Sequence, residues 1–205
     1  IDAFGQTEMS AIAAMKIDTD PDEVKHGSVG KLGPGIEVKI VKEDGSECAE
    51  GEIGEIYYRG KTVMKGYYGN PQATAEVVRN GWLYTGDIGK VDEDGELFIL
   101  GRKKEMIIAK GQNIYPSDIE DVLHTHPKVA EAAVTGIPDE MRGEVTRATI
   151  KLKAGEVATE EEIRHFCREH MAHYKLPKQI IFVDSLPKTA SSQIHKEALR
   201  DCFPQ

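Results

Sequence analysis

The residues able to do chemistry gather in two stretches of this sequence. Tyr84–Pro116 sets one acid and several cations around a polar joint. Asp87 follows Tyr84-Thr85-Gly86, and Gly101-Arg102-Lys103-Lys104-Glu105 offers three positive charges with no apolar residue to bury. Arg102, Lys103, Lys104 and Lys110 thus form a local basic patch suited to holding phosphate. Near the start, Phe4, Gly5, Thr7 and Glu8 place an aromatic ring, a glycine and a hydroxyl–carboxylate pair within a few positions. Taken alone, Phe4–Glu8 reads as a strand end followed by a turn, Asp87 as a turn aspartate beside a glycine, and Lys103 as a solvated charge.

The elements that must hold these residues follow from periodicity. Asp87–Asp92 and Glu96–Gly101 are short β-type runs joined by a turn containing Asp94-Gly95, so Asp87 falls at the mouth of a hairpin. Residues 27–68 alternate and are interrupted by glycine turns, which predicts a small, mostly antiparallel, barrel-like subdomain with Tyr57, Tyr58, Tyr67 and Tyr68 in its core. Trp82 reads as a packed anchor. Asn70-Pro71 opens a helix over 72–78, with asparagine as N-cap and proline at the first helical position.

Beyond Lys104 the period changes. A strand at 106–109 precedes a helix over Pro116–Thr125 with Ile119, Val122 and Leu123 on one face. Strands follow at 128–137 and 144–153, then a helix opened by the capping box Thr159-x-x-Glu162 and running to about His173, then a strand at 179–183. The order β-α-β-β-α-β makes a compact α+β unit. The polar joint suits a linker between domains at 1–103 and 104–205.

Composition bounds the function classes. With 205 residues, 40% hydrophobic and 30% charged, the chain can bury an ordinary globular core. Its net charge of −9 argues against nucleic acid or an anionic membrane as partner. No run of about 18 apolar residues predicts a transmembrane segment. Cys48, Cys167 and Cys202 have no metal-like spacing and suit a reducing, cytoplasmic compartment. His165, His170 and His173 form no zinc set.

In order along the chain, FGQTE, YTGD, the GR-x-K joint, KGxNIYPxxIE and PKT resemble the motifs of the adenylate-forming enzymes, a superfamily of acyl-CoA synthetases, peptide-synthetase adenylation domains and luciferases. The likeness runs through essentially all of the chain and, notably in the GQNIYPSDIE run, favours fatty-acid–CoA ligases, with aryl or small carboxylates as the alternative substrates. It implies the end of a large AMP-binding domain over 1–103 and a mobile lid over 104–205. The ligands implied are a carboxylic acid, ATP or AMP, coenzyme A and Mg2+. Phe4 is then expected beside the adenine and Thr7 on the α-phosphate. Glu8 is expected on Mg2+, to which a carboxylate is a hard oxygen ligand. Asp87 is expected to accept from both ribose hydroxyls, a diol offering two donors to two acceptor oxygens. Arg102 is expected on ribose or phosphate, Lys104 at the hinge, and Gly111 in the loop that lines the pantetheine tunnel. The start at Ile1 and the missing phosphate loop lead us to expect a fragment that is inactive without the upstream part of the same chain.

One position departs from the family pattern PKTxxGKI. Here Pro187-Lys188-Thr189-Ala190-Ser191-Ser192-Gln193-Ile194 has Ser192 at the glycine and Gln193 at the catalytic lysine. An amide offers a hydrogen bond without charge, so weakened adenylation is expected, on the order of 10²–10³ in rate by analogy with loss of an oxyanion donor. Lys196, three residues on, is the nearby cation that a remodelled loop would bring in its place. The same departure keeps open a non-catalytic adenylate-binding or regulatory homologue.

Overall fold

The computed structural model describes residues 2–16, 25, 27–190 and 192–202, with backbone alone at 2, 11, 201 and 202. Ile1, Ser191 and the Cys202 side chain fall outside the described residues. The chain divides into two compact units between Lys104 and Glu105.

The first unit carries β1 (Asp2–Gln6), β2 (Ala11–Lys16), β3 (Ser28–Leu32), β4 (Ile36–Val41), β5 (Gly54–Gly60), α1 (Pro71–Val77), β6 (Val78–Arg79), β7 (Trp82–Val91) and β8 (Glu96–Arg102). They make one eight-stranded antiparallel sheet in the order β1-β2-β3-β8-β7-β5-β4, with β6 pairing β7. Among the described residues the end strands β1 and β4 do not pair, so the sheet is open. This corrects the barrel-like expectation for 27–68. The β7–β8 hairpin inserts between β3 and β5, keeping the strands of 27–68 from closing on one another.

Met9, Ala13, Ala14, Ile56, Tyr58, Leu83 and Leu97 form the core of this unit. Burial raises the pKa of the Tyr58 phenol, whose hydroxyl has no hydrogen-bond partner among the described residues. Tyr57 packs on Tyr84 with ring centroids 4.0 Å apart. Tyr67 and Tyr68 are exposed, contrary to expectation, and Tyr68 wholly so. After Gly60 the chain leaves the sheet for a loop, and Thr74 Oγ1 accepts from the Tyr67 amide, so neither ring has a sheet face to bury against. Trp82 is anchored by the Arg59 guanidinium, 4.6 Å from its ring, and the Lys39 ammonium at 5.1 Å. Asn70 Oδ1 accepts from the Ala73 amide at 3.0 Å and caps α1. The helix stops at Val77 because Val78 pairs with Leu83. Asp92 closes the β7–β8 turn, its carboxylate accepting from the amides of Asp94 and Glu96.

The second unit carries β9 (Ile107–Ala109), β10 (Gln112–Ile114), α2 (Pro116–Thr125), β11 (Val129–Asp139), β12 (Gly143–Leu152), α3 (Glu160–His170), β13 (Gln179–Phe182) and α4 (Lys196–Cys202). Its sheet runs β10-β9-β12-β11, with β13 parallel to β12. The short strand β10 and helix α4 lie outside the expected β-α-β-β-α-β order. Ile107, Ile114, Ile119, Leu123, Ile150 and Ile163 are fully buried in its core. Thr159 Oγ accepts from the Glu162 amide at 3.1 Å, while the Glu162 carboxylate goes to Lys128 Nζ at 2.7 Å. α3 ends at His170, short of His173, because Met171 is extended. Cys167 is buried in this core and its thiol is pushed up to about 11, which suits an inert packing residue. Among the described residues no cluster of three metal-ligating side chains forms, and no helix is long and apolar enough to cross a membrane.

Candidate functional site

Asp87 sits in a bulge of β7. Pairing with β5 jumps from Tyr57↔Tyr84 to Glu55↔Ile88, so Ile56 faces Thr85, Gly86 and Asp87 together. Gly86 takes φ +71°, a left-handed conformation open to glycine without a Cβ clash. Thr85 pins the bulge: its hydroxyl donates to the Ile56 carbonyl at 2.7 Å and accepts from the Asp87 amide at 3.0 Å. Across the hairpin Asp87 is in register with Arg102. Arg102 Nε lies 2.9 Å from Asp87 Oδ1, and its Nη1 donates to the Thr85 carbonyl at 3.1 Å. Gln6 donates its side-chain amide to the other oxygen, Oδ2. A carboxylate only 3% exposed therefore has a donor on each of its oxygens.

Thr7 and Glu8 follow on a single 3₁₀ turn, Thr7–Met9, that ends at Ser10 in the left-handed region. Buried Met9 anchors this turn in the core. Glu8 Oε1 accepts from the Tyr67 hydroxyl at 2.7 Å, a bond that raises the phenol's pKa, and the Glu8 carbonyl accepts from the Met64 amide at 2.7 Å. A cavity of about 270 Å³ opens here, lined by Gln6, Thr7, Glu8, Tyr67, Thr85 and Arg102 among others. One carboxylate at a cavity wall fits Mg2+, which takes its other ligands from phosphates and water. The structure thus brings Thr7, Glu8 and Arg102 to one cavity and places Asp87 in hydrogen-bond contact with its wall. Phe4 does not line it; the ring packs on the core of the unit. From sequence, Gln6 and Thr85 carry no role at the site and Tyr67 is expected in the core. The signal for Gln6 and Thr85 was their place inside FGQTE and YTGD, whereas Tyr67 carried none.

At the end of the first unit, Lys103 Nζ meets Glu55 at 2.7 Å, and this bond raises the lysine pKa. Lys103 is thus paired yet still exposed, in keeping with its reading as a charge on a solvated face. Lys104 is exposed on the 3₁₀ turn Lys103–Glu105.

In the second unit Gly111 forms the two-residue turn between β9 and β10 with Lys110, at φ +75° and +51°. Both positive angles match the twist of a tight hairpin. The Lys110 amide donates to the Arg142 carbonyl at 2.9 Å, pinning this turn beside the one joining β11 and β12. Next to it lies a cavity of about 230 Å³ whose lining includes Lys110, Arg142, Thr146, His173, Tyr174 and Lys178. Gln193 lies elsewhere on the unit, exposed at the end of a closed loop. The Thr189 amide donates to the Gln193 carbonyl at 2.7 Å, and the Ser192 amide to the Thr189 carbonyl at 2.9 Å. Lys196, the nearby cation, is itself ion-paired: its Nζ is 2.8 Å from Glu120 and 3.2 Å from Glu105.

Ser192, at the glycine position of the motif, holds φ +65°. Left-handed backbone costs a residue with a Cβ roughly 1–2 kcal/mol, partly offset in glycine by its freer unfolded chain. Ser192→Gly is expected to raise stability in urea unfolding by roughly 0.5–1 kcal/mol. A loss of stability would show that the loop carries no such strain.

The α+β fold is that of the adenylate-forming enzymes. It superposes over 98% of its length, at TM-score 0.90 and 38% identity, on o-succinylbenzoate CoA synthetase from Bacillus subtilis in complex with its acyl-adenylate intermediate, covering 40% of that chain. Residues 1–68 match the AMP-binding enzyme family and residues 118–193 the AMP-binding enzyme C-terminal domain, and the chain belongs to this adenylate-forming superfamily. It is 45% identical over 204 residues to the mitochondrial medium-chain acyl-CoA ligase of Rattus norvegicus, matching 98% of this chain and 33% of that protein. It is 42% identical over 203 residues to the long-chain-fatty-acid–CoA ligase of Haemophilus influenzae, matching 98% of this chain and 35% of that one. The chain spans about a third of the length of these curated relatives.

Proposed function

We propose that these residues are the C-terminal part of an acyl-CoA ligase that joins a carboxylic acid, on present likeness a fatty acid, to coenzyme A at the expense of ATP. The observation that carries this reading is the buried Asp87 carboxylate, held by Gln6 and Arg102 beside the cavity that contains Thr7 and Glu8. Asp87 accepts from the ribose diol, whose two hydroxyls match the two oxygens of a carboxylate, and Arg102 reaches the ribose or a phosphate. Thr7 donates to the α-phosphate. Glu8 would hold Mg2+, which supplies positive charge to the phosphates. Phe4 keeps a supporting part, its ring fixing β1 on the core while Gly5 gives a flat base room to approach.

The substrate carboxylate attacks the α-phosphorus and pyrophosphate leaves; the CoA thiol then attacks the acyl carbon, releasing AMP and a proton. Residues 105–205 act as the lid, with Lys104 as its hinge. Gln193 serves the first step. The Gly111 turn and the neighbouring cavity serve the second, with Lys110, Arg142 and Lys178 suited to the phosphates of coenzyme A. Family members of known function support the catalytic reading over the non-catalytic homologue.

The longer protein carrying this chain is expected to catalyse carboxylate-dependent exchange of pyrophosphate into ATP, and the 205 residues alone to catalyse none. Nucleotide binding by the longer protein with no such exchange for any carboxylic acid from acetate to palmitate would overturn the enzyme reading in favour of an adenylate-binding homologue.

A further inference from the structure

Lys196 is the first residue of α4, three positions past Gln193, and its ammonium is enclosed by two carboxylates. It lies 2.8 and 3.1 Å from the two oxygens of Glu120 on α2 and 3.2 Å from Glu105, the first residue of the second unit. The three side chains are only 15–28% exposed. Glu120 is itself fixed, since Oε1 accepts from the Val134 amide at 2.7 Å. On the other side of the loop, Lys188 bridges to Ile194 and its ammonium meets Glu131 of β11 at 2.7 Å. Ile194 packs against the small core of Ala133, Leu186 and Leu199. The segment that carries Gln193 is therefore tied down at both ends.

We infer that Lys196 is a positioning residue: it locks the loop of Gln193 to α2 and to the start of the second unit, so that the Gln193 amide is presented at a fixed place. Two carboxylates share this one cation, and without it they repel each other across the space it filled. Glu105 and α4 then lose their common anchor. Such a lock matters more for an amide than for a lysine. Attraction of an ammonium to phosphate falls only as the inverse of distance, whereas a neutral hydrogen bond weakens steeply with angle and separation.

This inference rests on the proposed adenylation reaction, and its test uses the longer protein carrying this chain. Lys196→Met is expected to lower the kcat of carboxylate-dependent pyrophosphate exchange by about tenfold, the scale of a modest misplacement, with KM for ATP changed less than about twofold. Thioester formation from supplied acyl-adenylate should fall less than about twofold, and Lys196→Arg should recover at least about half of the exchange rate. Undiminished exchange in Lys196→Met overturns the inference, as does a parallel fall of both half-reactions and of ATP affinity, which marks general destabilisation. Failure of arginine to rescue also overturns it. Should Lys196→Met not fold, Glu105→Gln, which keeps shape and removes one charge of the lock, is expected to lose about threefold in exchange, and no loss sinks the idea. Absence of exchange in the unaltered protein would instead overturn the enzyme reading and take this inference with it.

Discussion

Asp87→Ala is expected to weaken ATP binding by about 100-fold in calorimetry on the longer protein, roughly 2.7 kcal/mol, because it removes two hydrogen bonds to a charged acceptor in a buried place. The loss should appear in binding and not in folding. The cation left behind, Arg102, has a side chain 48% exposed and can regain water, so the thermal midpoint should fall by only a few degrees. Asp87→Asn sharpens the test. Asparagine keeps the shape but has one acceptor oxygen, and its NH2 would face a donor, Gln6 or Arg102. It is expected to lose nearly as much affinity as alanine. Arg102→Ala should cost less, about tenfold, and the double variant less than the product of the two, since the residues act through one contact. An unchanged dissociation constant in Asp87→Ala would remove the carboxylate from the nucleotide site.

Local chemistry made much of the fold legible. Pro116 at the first helical position with Ile119 and Leu123 a turn apart gave α2, Asn70 and Thr159 gave two helix starts, and Asp94-Gly95 gave the hairpin that aligns Asp87 with Arg102. These signals are short-range. The order of strands in the first sheet was not legible, because it depends on pairing β3 with β8, and alternation states only which face of a strand is apolar. An open sheet and a closed barrel share that alternation. The contact of Gln6 with Asp87 joins residues 81 positions apart and was hidden for the same reason. Tyr67 and Tyr68 misled because an aromatic ring between alternating runs reads as core, while here the loop after Gly60 carries both away from the sheet. Lys196 looked like a free cation from its spacing alone. Only the fold brings Glu105 and Glu120 to it.

Gln193→Lys is expected to raise carboxylate-dependent pyrophosphate exchange by at least about tenfold in the longer protein, equivalent to about 1.4 kcal/mol of transition-state stabilisation. The substitution should leave the loop intact. Its closure depends on the Thr189 amide, the Gln193 carbonyl and the Ser192 amide, and the Gln193 side chain is exposed. Under the proposed function a lysine there would bring a mobile positive charge to the α-phosphate as negative charge develops, and the loop needs no other neighbour to change. Lys196 cannot already supply that charge, held as it is between Glu105 and Glu120. Adding Ser192→Gly relieves the left-handed backbone beside it and is expected to increase stability without a further large gain in rate. Because the charge is needed only while the carboxylate attacks phosphorus, CoA attack on a preformed acyl-adenylate should change less than about twofold. Under this account the uncharged Gln193 holds the enzyme in a permanently weakened state, as loss of charge by acetylation would for a lysine. Fast exchange in the unaltered protein with no gain on Gln193→Lys would show that a hydrogen-bonding amide suffices at this position.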